Sequence, residues 1–429
     1  MRIINTKDGD INEVMQTLKD RASGGSPEIE RTVSDVLNNI KERGDEALFE
    51  YTAKFDGCSL NAETIRVSEA EIDEAVANTD PKLMEVMEKA AERIRAYHEK
   101  QVRQSFFDTK ADGSILGQRI TPIERAGVYV PGGKAAYPSS TLMNIIPAKV
   151  AGVTEIAVCT PPGKDGKISP VILAAAKVAG ATEIYKAGGA QAIAAMAYGT
   201  QSIKKVDKIV GPGNIFVALA KKAVYGNVSI DSVAGPSEVC VLADGDANPM
   251  YAAADLLSQA EHDQMASAIM VTDNKFFAER VATFIDSFIN ELPRQEIMQK
   301  SVDDYGFLIV TRNMEEAYEV VNSIAPEHLE ILTAHPWEDM TYIKHAGAIF
   351  LGEYSCEPLG DYMAGPNHVL PTNGTARFFS PLSVDDFIKK SSVISFSRNG
   401  LEALHEDIEM FARSEGLFAH ENSVAVRFK

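Results

Sequence analysis

From Gly127 onward the sequence alternates short β-rich runs with helical stretches, and no other feature restricts its possible folds as strongly. The runs read GVYVP, EIAVCTP, EIYKAGG, KIVGPG, EVCVLAD, SAIMVTD, FLIVT and GAIFLG. Helix-like stretches of about ten to fifteen residues separate most of them, the pattern of parallel α/β layers, because parallel neighbours need a crossover connection. AKVAGVTEI from Ala148 recurs as AKVAGATEI from Ala176. In each copy a helix ends at a Gly and leads straight into a strand, so one helix-to-strand unit is used twice.

The flanks read differently. Up to about residue 105 the pattern is helical scaffold, shown best by Asp80 as N-cap, Pro81 at the first helical position, and Leu83, Val86, Met87, Ala90 and Ile94 on one face. After Pro381 the pattern again reads as helix, with Leu401, Leu404, Ile408 and Phe411 at three- and four-residue spacing and a stop at Gly416. The remaining tail is too short for a core of its own, so it must dock on something, and a second copy of the chain is one candidate.

A chain of 429 residues with 45% hydrophobic content can hold two or three domains and a large core. Its 42 Lys and Arg against 61 Asp and Glu give a net charge of -19, which repels phosphate backbones and anionic lipid and argues against nucleic acid as a partner. The start lacks a basic and then apolar leader, and no apolar run approaches the roughly 20 residues that span a bilayer. The expectation is a cytoplasmic protein without membrane contact. Cys58, Cys159, Cys240 and Cys356 are far apart with no CxxC pair, which removes zinc-ribbon and disulfide-framework readings.

Three Gly-rich turns could meet a ligand. GVYVPGGKAAYPSS resembles a phosphate loop, but Val128 and Ala135 stand where a Walker motif needs Gly and Ser or Thr. AGGAQA (187–192) and VGPGNIF (210–216) each follow a strand and open a helix, where backbone N–H groups can receive an anion. Neither is a complete GxGxxG, so each fits either a dinucleotide or a plain tight turn.

Two Glu-His pairs stand out among only eight His. In LLSQAEHDQ, Gln259 and His262 are three apart near a helix end and could reach one ion, although a surface-capping His fits the same spacing. In APEHLEIL, Glu327 and His328 precede a β-like run, where an acid and a base could act on water and substrate or form only a solvated turn. Adjacent residues of an extended chain point opposite ways, so the two need not share a task. Asp361 with His368, and Glu415 with His420, lie in polar loops whose composition often carries function.

The block IDSVAGPSEVCVLADGDANPMYAAADLLSQAEH from Ile230, with GVYVPGG, APEHLEI, GDYMAGPNHVLPT and EGLFAHENS in order and spacing, resembles the L-histidinol dehydrogenase family along effectively the whole chain. The resemblance implies oxidation of L-histidinol to L-histidine through L-histidinal, the closing steps of histidine biosynthesis, with two NAD reduced. It implies zinc ligands Gln259, His262, Asp361 and His420, which with His328, Ser237 and Glu415 also meet the substrate. It further implies acid/base groups Glu327 and His328, and NAD contacts Tyr129, Gln191 and Asn214. The implied fold is α/β, with two Rossmann-like parallel-sheet domains related to the aldehyde dehydrogenases and small helical terminal segments. Residues 25–125 with 238–377 would form the larger domain with the metal and acid/base groups, and 126–237 the NAD-contacting domain. Residues 378–429 with 1–24 would be terminal segments exchanged in a homodimer with shared active sites. A zinc hydrolase would use the same ligands without needing the loops at Gln191 and Asn214.

Overall fold

The structure, a computed structural model, describes residues 1–8, 11–22, 26–132 and 136–429. Residues 133–135 of the first Gly-rich loop lie outside the described residues, as does the expected boundary at 24/25. The chain divides into two compact units, Met1–Gln101 with Ile123–Phe387 and Val102–Pro122 with Ile388–Lys429.

The first unit holds two parallel sheets. One has five strands in the spatial order Glu183–Lys186, Glu155–Thr160, Arg125–Tyr129, Lys208–Val210 and Ser229–Ile230. Numbered along the chain this is 3-2-1-4-5, so the winding reverses beside Arg125–Tyr129. The other has six strands ordered Arg2–Asn5, Gly306–Val310, Ser267–Thr272, Glu238–Ala243, His328–Leu332 and Ala348–Leu351. Without its first edge strand it repeats 3-2-1-4-5. Every neighbouring pair in both sheets is parallel. The central strands are buried along their whole length, which explains why they read as continuous apolar runs instead of alternating ones. The repeated AKVAG segments end helices at Gly152 (φ 94°) and Gly180 (φ 90°), left-handed caps that turn the chain into strands Glu155–Thr160 and Glu183–Lys186.

Three expectations change. The helices from Pro27 to Glu99 do not join the larger sheet, unlike Ile11–Ala22, whose Val14 is buried against it: Pro27–Arg43 packs on helices Gly189–Tyr198 and Ile215–Val224, and Pro81–Glu99 packs on Pro138–Ala151, so they form the outer layer of the five-stranded half. The helix Pro81–Glu99 turns Met87, Ala90, Ala91, Ile94 and His98 inward, whereas Val86, about 100° round the helix from Met87, is exposed. Residues 2–5 are not a free terminal segment but an edge strand in register with Phe307–Val310, too short for any sequence period to reveal. Residues 378–387 likewise stay with the first unit, because Leu382 and Phe387 are buried in its core.

The second unit is an antiparallel sheet of Phe106–Thr109, Ile115–Pro122 and Ile388–Ser395, followed by helices Arg398–Glu402, His405–Ser414 and Phe418–Ala425. The stretch after Pro381 is thus not helical throughout, since Ile388–Ser395 finds eight register partners on the neighbouring strand. The unit buries very little: Ala412 is its only buried hydrophobic residue, while Met410 is 69% and Phe411 73% exposed. No helix among the described residues is long and apolar enough to cross a membrane.

Candidate active site

At the amino ends of the six-stranded sheet, the backbone of one residue holds two functional side chains. Glu238, the first residue of its strand, donates its N–H to Glu327 Oε2 (2.9 Å), and its carbonyl accepts from His328 Nδ1 (3.0 Å). The expected divergence of the adjacent pair does not occur: Glu327 precedes the strand that His328 opens, and His328 Nδ1 lies 3.7 Å from Glu327 Oε2. The turn into the strand begins at Ala325, left-handed at φ 52°. Because a carbonyl only accepts, His328 carries its proton on Nδ1 and presents a bare Nε2. Burial lowers the His328 pKa despite the opposing charge of Asp361, so the imidazole is neutral. Burial raises Glu327 well above the ordinary carboxylate range, and the charges of Glu238, Asp361 and Glu357 add to the rise.

His328 Nε2 lies 3.9 Å from Glu357 Oε1. Glu357, His262 and Asp361 bring potential ligand atoms within 4.8 Å of one another. The helix Pro249–Ala260 delivers His262 just beyond its carboxyl end, and Gln259 in its last turn is buried with Oε1 unpartnered. Glu357 is seated by two contacts, its N–H donating to Glu330 (2.7 Å) and its Oε2 accepting from the Ser258 hydroxyl (3.0 Å), while Oε1 has no hydrogen bond. Burial, then the charge of Asp361, pushes Glu357 up to about 8. Burial also raises Asp361, but the His368 hydrogen bond and the charges of His368, His328 and His262 outweigh it and hold the carboxyl low. His368 Nδ1 is 3.3 Å from Asp361 Oδ1.

Among the described residues no Lys or Arg pairs with Glu357 or Asp361. A buried carboxyl group, Glu357, a half-buried one, Asp361, a His and an orphaned amide oxygen form a donor set that suits a divalent cation with nitrogen and oxygen preference. Sequence reasoning missed Glu357. Its signal was the i,i+4 spacing of Glu357 and Asp361, which puts both on one face of the helix Glu357–Tyr362. Ser237 is half-buried immediately before the strand Glu238–Ala243, with its carbonyl accepting from Arg21 and from Ser267 N. Glu415 and His420 belong to the second unit, on the helical tail, and both are exposed.

The second feature is a cleft of about 640 Å³ beyond the carboxyl ends of the five-stranded sheet, lined by Tyr129, Gln191 and Asn214 together with Phe55, Asp56 and Phe216. Its volume suits a cofactor-sized ligand. Gly211, at φ 115°, lies so close to Tyr129 that a Cβ there would sit 2.1 Å from its carbonyl oxygen. The two Gly-rich turns do open helices here, but four of their N–H groups are already taken. Gly188 N donates to Asp56 Oδ2 (3.1 Å), Gly189 N to the Tyr129 hydroxyl (3.0 Å), and Phe216 N and Val217 N to the Asn214 side chain. Gln191 Nε2 also donates to Asp56 Oδ2 (3.1 Å). Burial raises Asp56 despite these donors and pushes the Tyr129 hydroxyl up to about 12. Burial also pushes the Cys159 thiol up to about 12 and Cys240 higher still, so neither is a ready nucleophile.

The family model described as histidinol dehydrogenase matches residues 19–428. A histidinol dehydrogenase from Heliobacterium mobile is 56% identical over 397 residues, covering 92% of this chain and 93% of that protein. The crystal structure of histidinol dehydrogenase from Elizabethkingia anophelis superposes with a TM-score of 0.93 at 39% identity, over 100% of this chain and 97% of that one. A structure named a probable aldehyde dehydrogenase, from Listeria monocytogenes, shares the fold at 11% identity and a TM-score of 0.50, over 90% of this chain and 96% of that one. With the match running almost from end to end, the chain belongs to the histidinol dehydrogenase family of oxidoreductases.

Proposed function

We propose that this chain oxidises L-histidinol to L-histidine through L-histidinal, reducing two NAD, at the His328–Glu327 site beside a zinc ion. The observation that carries this reading is the bare Nε2 of a neutral His328, 3.9 Å from a carboxylate that shares a possible cation position with His262 and Asp361.

Gln259, His262 and Asp361 would hold zinc, with His420 supplied from the C-terminal segment of a second copy. Zinc, when bound, supplies a Lewis-acidic anchor for the imidazole and amine nitrogens of the substrate. NAD, bound against Tyr129, Gln191 and Asn214, supplies a hydride acceptor in each oxidation. His328 Nε2 takes the alcohol proton as the carbinol hydrogen leaves as hydride, giving the aldehyde. Glu327, whose Oε2 is held by the Glu238 N–H and whose burial makes it basic, takes a proton from water as the oxygen attacks the aldehyde carbon. The hydrate then loses its hydride and becomes the acid. Ser237 and Glu415 would contact the substrate. The homodimer is supported by the second unit, which buries almost no apolar residue and leaves Met410 and Phe411 in water.

The test is NADH absorbance from purified protein with L-histidinol and NAD, before chelation, after chelation and after zinc is restored. NADH formation that disappears and returns is expected. Silence with L-histidinol under zinc-replete conditions overturns the reading.

A further inference from the structure

The cofactor cleft has an unusual polarity at its helix end. A helix N-terminus beside a cofactor cleft ordinarily presents free N–H groups to phosphate. Here a carboxylate already occupies that position: Asp56 Oδ2 takes both Gly188 N–H and Gln191 Nε2–H at 3.1 Å, and Tyr129 takes Gly189 N–H. Asp56 lines the cleft, and among the described residues its Oδ1 receives no hydrogen bond. Gly188 backs it closely, since a Cβ on that residue would fall 2.7 Å from Asp56 Oδ1. The cleft therefore offers its ligand an acceptor with negative charge, fixed by two N–H donors that favour its ionised form, at the place where an anion would otherwise dock.

We infer that Asp56 is the specificity-determining residue for the cofactor, accepting hydrogen bonds from the ribose hydroxyls of NAD and rejecting a 2′-phosphate. This rests on the reading of the cleft as the NAD site. An acceptor-only carboxylate matches a diol, which donates, and opposes a phosphate dianion, which can only accept and repels it. Gln191 contributes here as a residue that, with the Gly188 N–H, fixes Oδ2 and leaves Oδ1 without a hydrogen bond among the described residues.

The experiment compares binding of ADP and of 2′,5′-ADP to the zinc-loaded wild-type protein by calorimetry, and then initial rates with NAD and NADP at saturating L-histidinol for wild type, Asp56→Asn and Asp56→Ser. Wild type is expected to bind ADP at least tenfold more tightly than 2′,5′-ADP and to prefer NAD in kcat/KM by about a hundredfold or more. Both variants should raise the KM for NAD about tenfold and move the NADP-to-NAD ratio of kcat/KM at least tenfold toward NADP. That ratio is taken on one protein sample, so a loss of folded fraction in a variant cancels from it. Equal binding of the two nucleotides by wild type, or an unchanged cofactor ratio in both variants with only a common loss of rate, overturns the assignment and leaves Asp56 as a helix cap. A wild-type protein that reduces neither cofactor and binds neither nucleotide overturns the underlying reading of the cleft itself.

Discussion

In the five-stranded sheet the first strand, Arg125–Tyr129, sits where the winding reverses, and the cleft opens beyond its carboxyl end; in the six-stranded sheet Glu238–Ala243 takes the same place in the same 3-2-1-4-5 order, yet His328, Glu327 and their neighbours gather at the amino ends. The ends differ physically. Beyond the carboxyl ends lie helix N-termini, each with about half a positive charge; at the amino ends lie helix C-termini with about half a negative charge, such as that of Pro249–Ala260 beside Gln259 and His262. One sheet thus presents an end suited to an anion, softened here by Asp56 and Asn214, and the other presents an end suited to a cation.

The treatment of buried carboxylates differs in the same way. In the five-stranded half, Arg125 binds the largely buried Glu183 as well as the exposed Glu155 at 2.5 Å, and Lys221 pairs with Asp231. In the six-stranded half Glu238 has Arg21, but Glu327, Glu330, Glu357 and Asp361 have no Lys or Arg among the described residues. Desolvated carboxylates without counter-charge are costly. A bound cation removes that cost, and the comparison predicts which half depends on one.

The largest effect is expected for His262→Ala, which should lower zinc affinity by more than the roughly 10–100-fold typical of outer-shell changes. Metal content of the purified variant checks this, and normal occupancy would break the contrast between the halves. Next, His328→Asn should cut L-histidinol turnover by about 10²–10⁴-fold, the usual contribution of a general base, with zinc content unchanged. Turnover at the wild-type rate would remove His328 from the chemistry. The smallest effect belongs to the compensated half. Burial raises Glu183, but Arg125 outweighs it, so its pKa is lower folded than unfolded. Its contribution is present above the ordinary Glu range near about 4.3 and is lost as pH falls through the folded value. Glu183→Gln should therefore cost about 1–3 kcal/mol at pH 7, and its gap to wild type in thermal melting should close under acid. A gap that does not depend on pH would argue that the ion pair is not its source.

What could be read from the sequence follows from how local each feature is. The strand-to-helix alternation and the Gly caps are fixed within a dozen residues or fewer, and the structure places them as the pattern suggests, while His262 falls just beyond the helix Pro249–Ala260 that carries Gln259. The N-terminal helices show an apolar face but not which sheet it covers, because that choice depends on distant partners. Glu357 reads as a solvated loop residue until Glu330 and Ser258, 27 and 99 positions away, are brought against it. The meeting of Glu327 and His328 depends on the Glu238 backbone, about 90 residues upstream, which no local spacing displays.

The repeated helix-to-strand unit has a consequence for how its two copies can diverge. Each copy ends in the same Thr-Glu-Ile, and each Glu finds the same guanidinium: Arg125 takes Glu155 with one amino group and Glu183 with the other. Two duplicated segments are thereby coupled through a third residue outside both. A charge reversal in either copy cannot be repaired within that copy, so a once-modular duplication has become a single three-residue unit whose members must change together.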